Sequence, residues 1–182
     1  MDRVTIYRVT RTEFQTAFDE HNDAVYRFVW RMTGSDSLAE DIAQDTFLVL
    51  LRQPDVFDPR RGTLRQFLLG IARNLTLKRW RDENRWQELE DEHFSVKPFD
   101  IEHREIADAV REAVQSLPPL QREVLILAEY EELSLEAIAQ AVESEIGTVK
   151  ARLHRARENL RRMLASFKIN NSVRSTSHGT LR

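Results

Sequence analysis

The chain has 182 residues, 41% hydrophobic and 31% charged, with a formal net charge of −3 and no cysteine. These proportions belong to a folded globular chain rather than a disordered or membrane-embedded one, and the missing cysteine excludes a disulfide framework, a thiolate zinc site and a cysteine nucleophile together. Five glycines and five prolines amid abundant Leu, Arg, Glu and Ala favour long helices, so the expected fold class is all-α.

The N-terminal MDRVTIYRVTRTEF lacks the apolar core of a signal peptide, and no apolar run approaches the ~18 residues that span a bilayer. Export and membrane insertion are not expected, and the expected location is cytoplasmic. The first helix is expected from about Thr12 to Met32, because Phe14, Phe18, Val25, Phe28, Val29 and Met32 recur at spacings of three and four. Thr33-Gly34-Ser35 ends it. Ser37-Leu38-Ala39-Glu40 has the spacing of a capping box and opens a second helix to about Gln53, where Pro54 stops it. Its inward side is Leu38, Ile42, Thr46, Val49 and Leu50. Opposite lies a stripe of Asp41, Gln44, Asp45, Leu48 and Arg52, an apolar residue among charges. Spacing alone fits a partner surface and a solvated face about equally.

Phe57-Asp58-Pro59-Arg60-Arg61-Gly62 reads as a turn or loop, and Thr63 with Gln66 caps a long third helix. Its apolar stripe is Leu64, Phe67, Leu68, Ile71, Ala72 and Leu75, with Arg65, Arg73 and Trp80 pointing away and Lys78 and Arg79 flanking. From about Asp82 to Asp100 the periodicity fails, acidic residues accumulate and Pro98 interrupts, as in an exposed linker. Helical spacing resumes from Ile106 to Leu117, Pro118-Pro119 breaks it, and a short helix follows from about Leu120 to Tyr130. Ser134 begins another short helix through about Ala141, and Ile146 opens the last, to about Phe167. This is helix-turn-helix spacing. The remaining tail is rich in Ser, Thr, Asn and Arg and is expected to be disordered. Two small helical domains joined by an acidic linker result, at 10–85, 86–102 and 103–166, with the tail at 167–182.

The overall charge hides its distribution. Arg52 to Arg81 carries eight Lys/Arg against two Asp, Asp82 to Glu105 three against nine acids, and Glu145 to Lys168 seven against two. Two basic blocks flank an acidic one. In the last helix Ile146, Val149, Leu153, Ala156, Leu160 and Met163 alternate spacings of three and four and mark the inward face. Thr148, Ala151, His154, Arg155, Glu158 and Arg162 then project outward, with Lys150 and Arg152 at the margins. A recognition helix needs this arrangement, with residues that reach base edges near its N-terminus and cations for phosphates alongside; His154 and Arg155 are the base-edge candidates. An isolated basic face would be read as merely solvated, and the short preceding helix tips the balance.

Leu117-Pro118-Pro119-Leu120-Gln121-Arg122-Glu123-Val124, then Ile138-Ala139, then Ile146-Gly147-Thr148-Val149-Lys150-Ala151-Arg152-Leu153 resembles the C-terminal domain of bacterial sigma factors. Ala39-Glu40-Asp41-Ile42-Ala43-Gln44-Asp45-Thr46-Phe47 and Phe67-Leu68-Leu69-Gly70-Ile71-Ala72-Arg73-Asn74 resemble the polymerase-binding and promoter-melting regions of the same family. Two domains and a short linker are similar to the compact extracytoplasmic-function group. The resemblance implies a non-enzymatic initiation factor without cofactor or metal. Its partners would be core RNA polymerase, bound through Asp41, Gln44, Asp45, Leu48 and Arg52, and promoter DNA. The minus-ten element would be held single-stranded by Arg60, Arg61, Arg65, Arg73, Asn74, Lys78, Arg79 and Trp80, with the loop Asp58 to Thr63 matching the family's base-capturing loop. The minus-thirty-five element would be read as duplex by Thr148, Lys150, Ala151, Arg152, His154 and Arg155. Members are often held inactive by an anti-sigma protein, so such a partner is also implied, though no residue identifies it.

For Trp80 a partly buried edge aromatic has a slightly better claim than a base-stacking ring. The acidic linker fits a solubilising spacer or a charge mimic in the polymerase's nucleic-acid channel. Two positions depart from the family pattern. The turn Ala141-Val142-Glu143-Ser144-Glu145 has no glycine, so Glu143 or a neighbour must tolerate its geometry, and Ser134 is followed by Glu136 rather than by a glutamate at 137. An enzyme is disfavoured, because there is no phosphate-binding glycine loop and no nucleophile elbow, and His93 and His103 lack an ordered ligand set. A stand-alone helix-turn-helix repressor or activator is the stronger rival, and it leaves the stripe from Asp41 to Arg52 without a purpose.

Overall fold

The computed structural model describes residues 10–53, 57–82 and 106–165. The acidic linker and the C-terminal tail expected from the sequence lie outside them. Seven α-helices occur among the described residues: α1 Arg11–Thr33, α2 Asp36–Arg52, α3 Leu64–Asp82, α4 Ile106–Gln115, α5 Pro119–Glu129, α6 Leu135–Ala141 and α7 Ile146–Met163, with a 3-10 turn at Pro59–Arg61 before α3. None is long and apolar enough to cross a membrane.

Local chemistry sets most of the boundaries. Thr10 caps α1 in a reciprocal box with Glu13, and Gly34 closes it in the left-handed region at φ 71°. A side chain at Gly34 would also stand 2.8 Å from the Gln115 amide nitrogen, which would have to shift, but it is the left-handed conformation that favours glycine here. The second helix starts earlier than the Ser37 box predicts. Ser35 is the cap, its hydroxyl accepting from the Leu38 N–H at 3.3 Å, because Gly34 reverses the chain immediately before it. The box expected for α3 forms: the Thr63 N–H donates to Gln66 Oε1 at 3.0 Å and the Gln66 N–H to the Thr63 hydroxyl at 3.2 Å. Such caps contribute ~1 kcal/mol each. Pro119 occupies the first turn of α5, where its missing N–H costs nothing.

Helices α1, α2 and α3 pack together, as do α5, α6 and α7. The first group closes around Val25, Phe28, Val29, Met32, Ile42, Leu50, Leu68 and Leu69, the second around Val124, Ile126, Leu127, Ile138, Val149 and Met163. Each such side chain contributes ~1.5–3 kcal/mol by leaving water. The two groups are also packed on each other, α1 against α4 and α5 and α3 against α6, so the buried side chains form one continuous cluster.

This contact changes which faces are inward. On α3 the fully buried residues are Leu68, Leu69, Ala72, Thr76, Leu77 and Trp80, while Ile71 and Leu75 are half-buried. The expected stripe is rotated because the helix is covered from two sides. Phe18 and Ile146 are each 37% exposed and Ile106 58%, so three residues expected inward face solvent.

Ionic and polar groups join the halves. Arg122, on α5, donates to the Met32 carbonyl at the end of α1, to the Gln115 carbonyl at the end of α4 and to the Leu117 carbonyl just beyond it, serving carbonyls that helix ends leave unpaired. Burial lowers its pKa to about 10. Glu131, 2% exposed, lies 2.6 Å from Arg65 and 3.8 Å from Arg31. Glu123, fully buried, lies 2.8 Å from Arg73 on α3 and 3.7 Å from Arg152 on α7.

Candidate nucleic-acid interface

The turn between α6 and α7 is made without glycine, and Glu143 takes the left-handed conformation at φ 51°, as the missing glycine requires. The Ser144 N–H reaches back to the Ala139 carbonyl at 3.0 Å. Ser134 caps α6 by accepting from the Ala137 N–H at 3.2 Å. The Glu136 carboxylate is held below its usual range by its own backbone N–H and by the Ser134 hydroxyl. These contacts set α7 with Val149, Leu153, Ala156 and Met163 inward.

Thr148, Lys150, Ala151, His154 and Arg155 are consequently exposed together along the first half of α7. Nothing stands within 4 Å of where a side chain at Gly147 would begin, so the N-terminal turn is open to an approaching groove. Neither Lys150 nor Arg155 makes an ion pair among the described residues, whereas Arg157 and Arg161 are paired with Glu129 and Glu158. Unpaired cations beside small polar and apolar residues suit phosphates and base edges together. Arg152 is the exception: its side chain is 22% exposed and turned towards Glu123.

A second basic surface lies on α3 and the loop before it. Asp58 caps the 3-10 turn and holds Arg60 through two 3.0 Å hydrogen bonds; these bonds keep the Asp58 carboxyl below its usual range. Gly62 has φ 146°, and a side chain there would meet Gln66 Oε1 at 2.6 Å. Arg61, Asn74, Lys78 and Arg79 are exposed. Arg60 is exposed as well, whereas two expected members face carboxylates of the protein: the side chain of Arg73 is 12% exposed against Glu123 and that of Arg65 38% against Glu131. Trp80 does not point away from the core as expected. It is 6% exposed within the hydrophobic cluster, with the Arg122 guanidinium 6.0 Å from its ring centre, so its face is not open to a base. A cavity of about 290 Å³ lies between the loop, α3 and α6, with Asp58, Arg61, Gln66, Asn74, Gln140 and Glu143 on its walls.

On α2, Asp41, Gln44, Asp45 and Arg52 are exposed along one side, with Leu48 half-buried among them. Leu51, which the sequence reading passes over, is 54% exposed beside this stripe. Leu48 and Gln44 border an open groove of about 560 Å³ walled by Phe14, Phe18, Tyr26 and Phe47. The Phe18 and Phe47 rings stand 4.9 Å apart. The Tyr26 hydroxyl donates to Asp36 at 2.8 Å, which raises the Tyr26 pKa.

Among the described residues no three His, Asp or Glu side chains are grouped as a metal would need; His93 and His103 lie outside them.

The chain matches the family model for sigma-70 region 2 over residues 17–86 and that for sigma-70 region 4 over residues 103–160. It is 35% identical over 154 residues to the extracytoplasmic-function sigma factor SigE of Mycolicibacterium smegmatis, covering 80% of this chain and 59% of SigE. It is 32% identical over 166 residues to SigW of Bacillus subtilis, covering 83% of this chain and 88% of SigW. Among solved structures, the sigma factor RpoE in complex with the anti-sigma factor NepR, from Bartonella quintana, superposes with a TM-score of 0.65 at 26% identity, over 85% of this chain and 98% of that one.

Proposed function

Because this chain belongs to the extracytoplasmic-function group of sigma-70 factors, the non-enzymatic factors of transcription initiation, we propose a division of labour between its two units. The first, residues 10–85, docks on core RNA polymerase through Asp41, Gln44, Asp45, Leu48 and Arg52 of α2, with Leu51 added from its exposure. It then holds the melted minus-ten strand with Arg60, Arg61, Arg65, Arg73, Asn74, Lys78 and Arg79. The second, residues 103–166, reads the minus-thirty-five duplex with Thr148, Lys150, Ala151, His154 and Arg155, while Arg152 positions that helix through Glu123. Trp80 is assigned to the core and not to DNA. Residues 86–102 are the linker and 167–182 the tail.

The observation that carries this reading is the exposed first half of α7, with Thr148, Lys150, Ala151, His154 and Arg155 open together behind a tight helix-turn-helix. Each DNA contact is weak alone and becomes effective when polymerase fixes the spacing of both. The site of action is the cytoplasm, where polymerase and promoters are. An anti-sigma protein is included among the partners, on the precedent of RpoE bound to NepR.

The test is co-elution of the purified chain with core polymerase on size exclusion, without DNA. Binding is expected for the wild type and at least a ten-fold loss for Asp45→Arg, whose exposed position leaves the helical fold unchanged by circular dichroism. Unaltered affinity in the variant would remove α2 from the interface. No binding by either protein, together with tight duplex binding by the chain alone, would instead identify a stand-alone repressor or activator.

A further inference from the structure

Of the buried residues on α7, Val149, Leu153, Ala156 and Met163 are apolar, and the one polar member is Asn159. It is 5% exposed, while Leu160, inward by spacing, is only half-buried. Asn159 Nδ2 donates to Gln121 Oε1 of α5 at 2.7 Å, and Gln121 is itself 8% exposed. Asn159 Oδ1 accepts from the Arg162 guanidinium, so both ends of this amide are engaged. Asn159 stands one helical turn after Arg155, on the edge of the buried face nearest the outward row that holds Thr148 and Arg155. The other polar ties between α5 and α7 are ionic, Glu123 with Arg152 at 3.7 Å and Glu129 with Arg157 at 2.6 Å.

Apolar burial is non-directional, so the Val, Leu, Ala and Met contacts hold α7 against α5 without fixing its rotation or height. A hydrogen bond weakens steeply as its angle is lost, and a single buried amide in an apolar seam specifies register for that reason. Readout of base edges needs such fixing, because a binding constellation tolerates errors of only ~0.5 Å and ~10–20°. We propose that Gln121 and Asn159 are positioning residues for promoter choice: their buried amide pair sets the rotation and height of α7 on α5, and so determines which base edges His154 and Arg155 reach. The inference rests on the assignment of α7 to the upstream duplex. A paired amide adds little net stability, since each group exchanges water for the other, and replacing both partners by apolar groups of the same shape is nearly neutral. The effect of the pair is therefore read in sequence preference and not in melting.

The test uses Gln121→Met/Asn159→Leu, which removes both amides at nearly constant volume and leaves neither unpaired. Holoenzyme assembled from core polymerase and the full chain is given a promoter library randomised at both elements, and the DNA of the open complexes is sequenced. The readout is the enrichment ratio between the best and the median upstream sequence, which loss of folded protein does not move because it lowers every promoter in proportion. The double variant should melt at or above the wild-type temperature, keep its downstream preference and lose about ten-fold in the upstream ratio, roughly the discrimination of one good base contact. Gln121→Asn/Asn159→Gln, which restores an amide pair of the same combined length, should recover at least half of that loss, and no recovery would count against the proposal. An upstream ratio equal to the wild type in the folded double variant would overturn it. If the double variant does not fold, Asn159→Ala is read in the same way, and failure of that variant to fold as well would overturn the proposal, because the pair would then serve stability and not orientation. Arg155→Ala separates the two readings. A wild-type ratio that falls in Arg155→Ala but not in the amide variant would sink the positioning role alone, whereas a wild type without upstream preference would remove α7 from the duplex and both would fall.

Discussion

Glu123 shows how one residue can carry opposing terms. Burial raises its pKa above the ordinary 4.5, and the hydrogen bond from Arg73, with the charges of Arg73 and Arg152, pulls it down. The net effect is upward, so the folded protein holds this proton more tightly than the unfolded chain. Its contribution to stability is then fully present below about pH 4.5 and is lost as pH rises through its folded-state pKa. Glu123→Gln cannot titrate. The melting temperature of the variant relative to the wild type should therefore move in the variant's favour between pH 4.5 and neutrality, as followed by circular dichroism; a difference independent of pH would contradict the shift. Composition announces none of this, because Glu123 follows Gln121 and Arg122 in what reads locally as the polar start of a helix. Its partner Arg73 lies 50 residues earlier.

For the elements, the turn and the helix it launches make separate predictions. Glu143 holds φ 51°, a conformation that costs a non-glycine residue ~1–3 kcal/mol, against ~0.5–1 kcal/mol of extra chain entropy for glycine. Glu143→Gly should raise stability by about 1 kcal/mol in denaturant titration, and a loss would mean that Glu143 contributes more through Asn74 than the turn costs. On α7, Arg155→Ala should weaken transcription with a dependence on the upstream promoter sequence, while Lys150→Ala lowers it evenly across sequences. Measurement on a panel of promoter variants decides, and even losses for Arg155→Ala would remove it from base readout. The exposed face of α7 was legible from residue spacing because helical periodicity alone orients its side chains. The inward face of α3 was not, because a helix covered on two sides has no single apolar stripe.

The whole molecule is held by a core that crosses between its units and by Arg122, which serves carbonyls from both. Two of the three tryptophans, Trp30 and Trp80, lie in α1 and α3, so fluorescence follows chiefly the first unit while circular dichroism follows every helix. The two thermal transitions should coincide in the wild type. Arg122→Ala leaves helix-end carbonyls unpaired and removes a buried charge from its hydrogen bonds, a change expected to cost ~3–5 kcal/mol. Both probes should shift down together. A shift confined to circular dichroism would mean that the first unit does not depend on the second.

The sequence by itself determined the all-helical class, the seven helix starts to within about two residues, the glycine-free turn at Glu143 and the outward residues of α7. Each of these is local, set by caps, breakers and a period of 3.6 residues. Tertiary structure alone decided that Ser35 rather than Ser37 caps α2, that Trp80, read from sequence as a partly buried edge aromatic or a base-stacking ring, sits within the core, and that Arg65 and Arg73 face carboxylates. Those outcomes depend on which surfaces meet, and the partners that settle them, Arg65 with Glu131 and Arg73 with Glu123, are 66 and 50 residues apart in the chain. No local pattern encodes such a pairing, because it forms only where the units meet, where the attraction and hydrogen bonds between the charges offset the cost of taking both out of water.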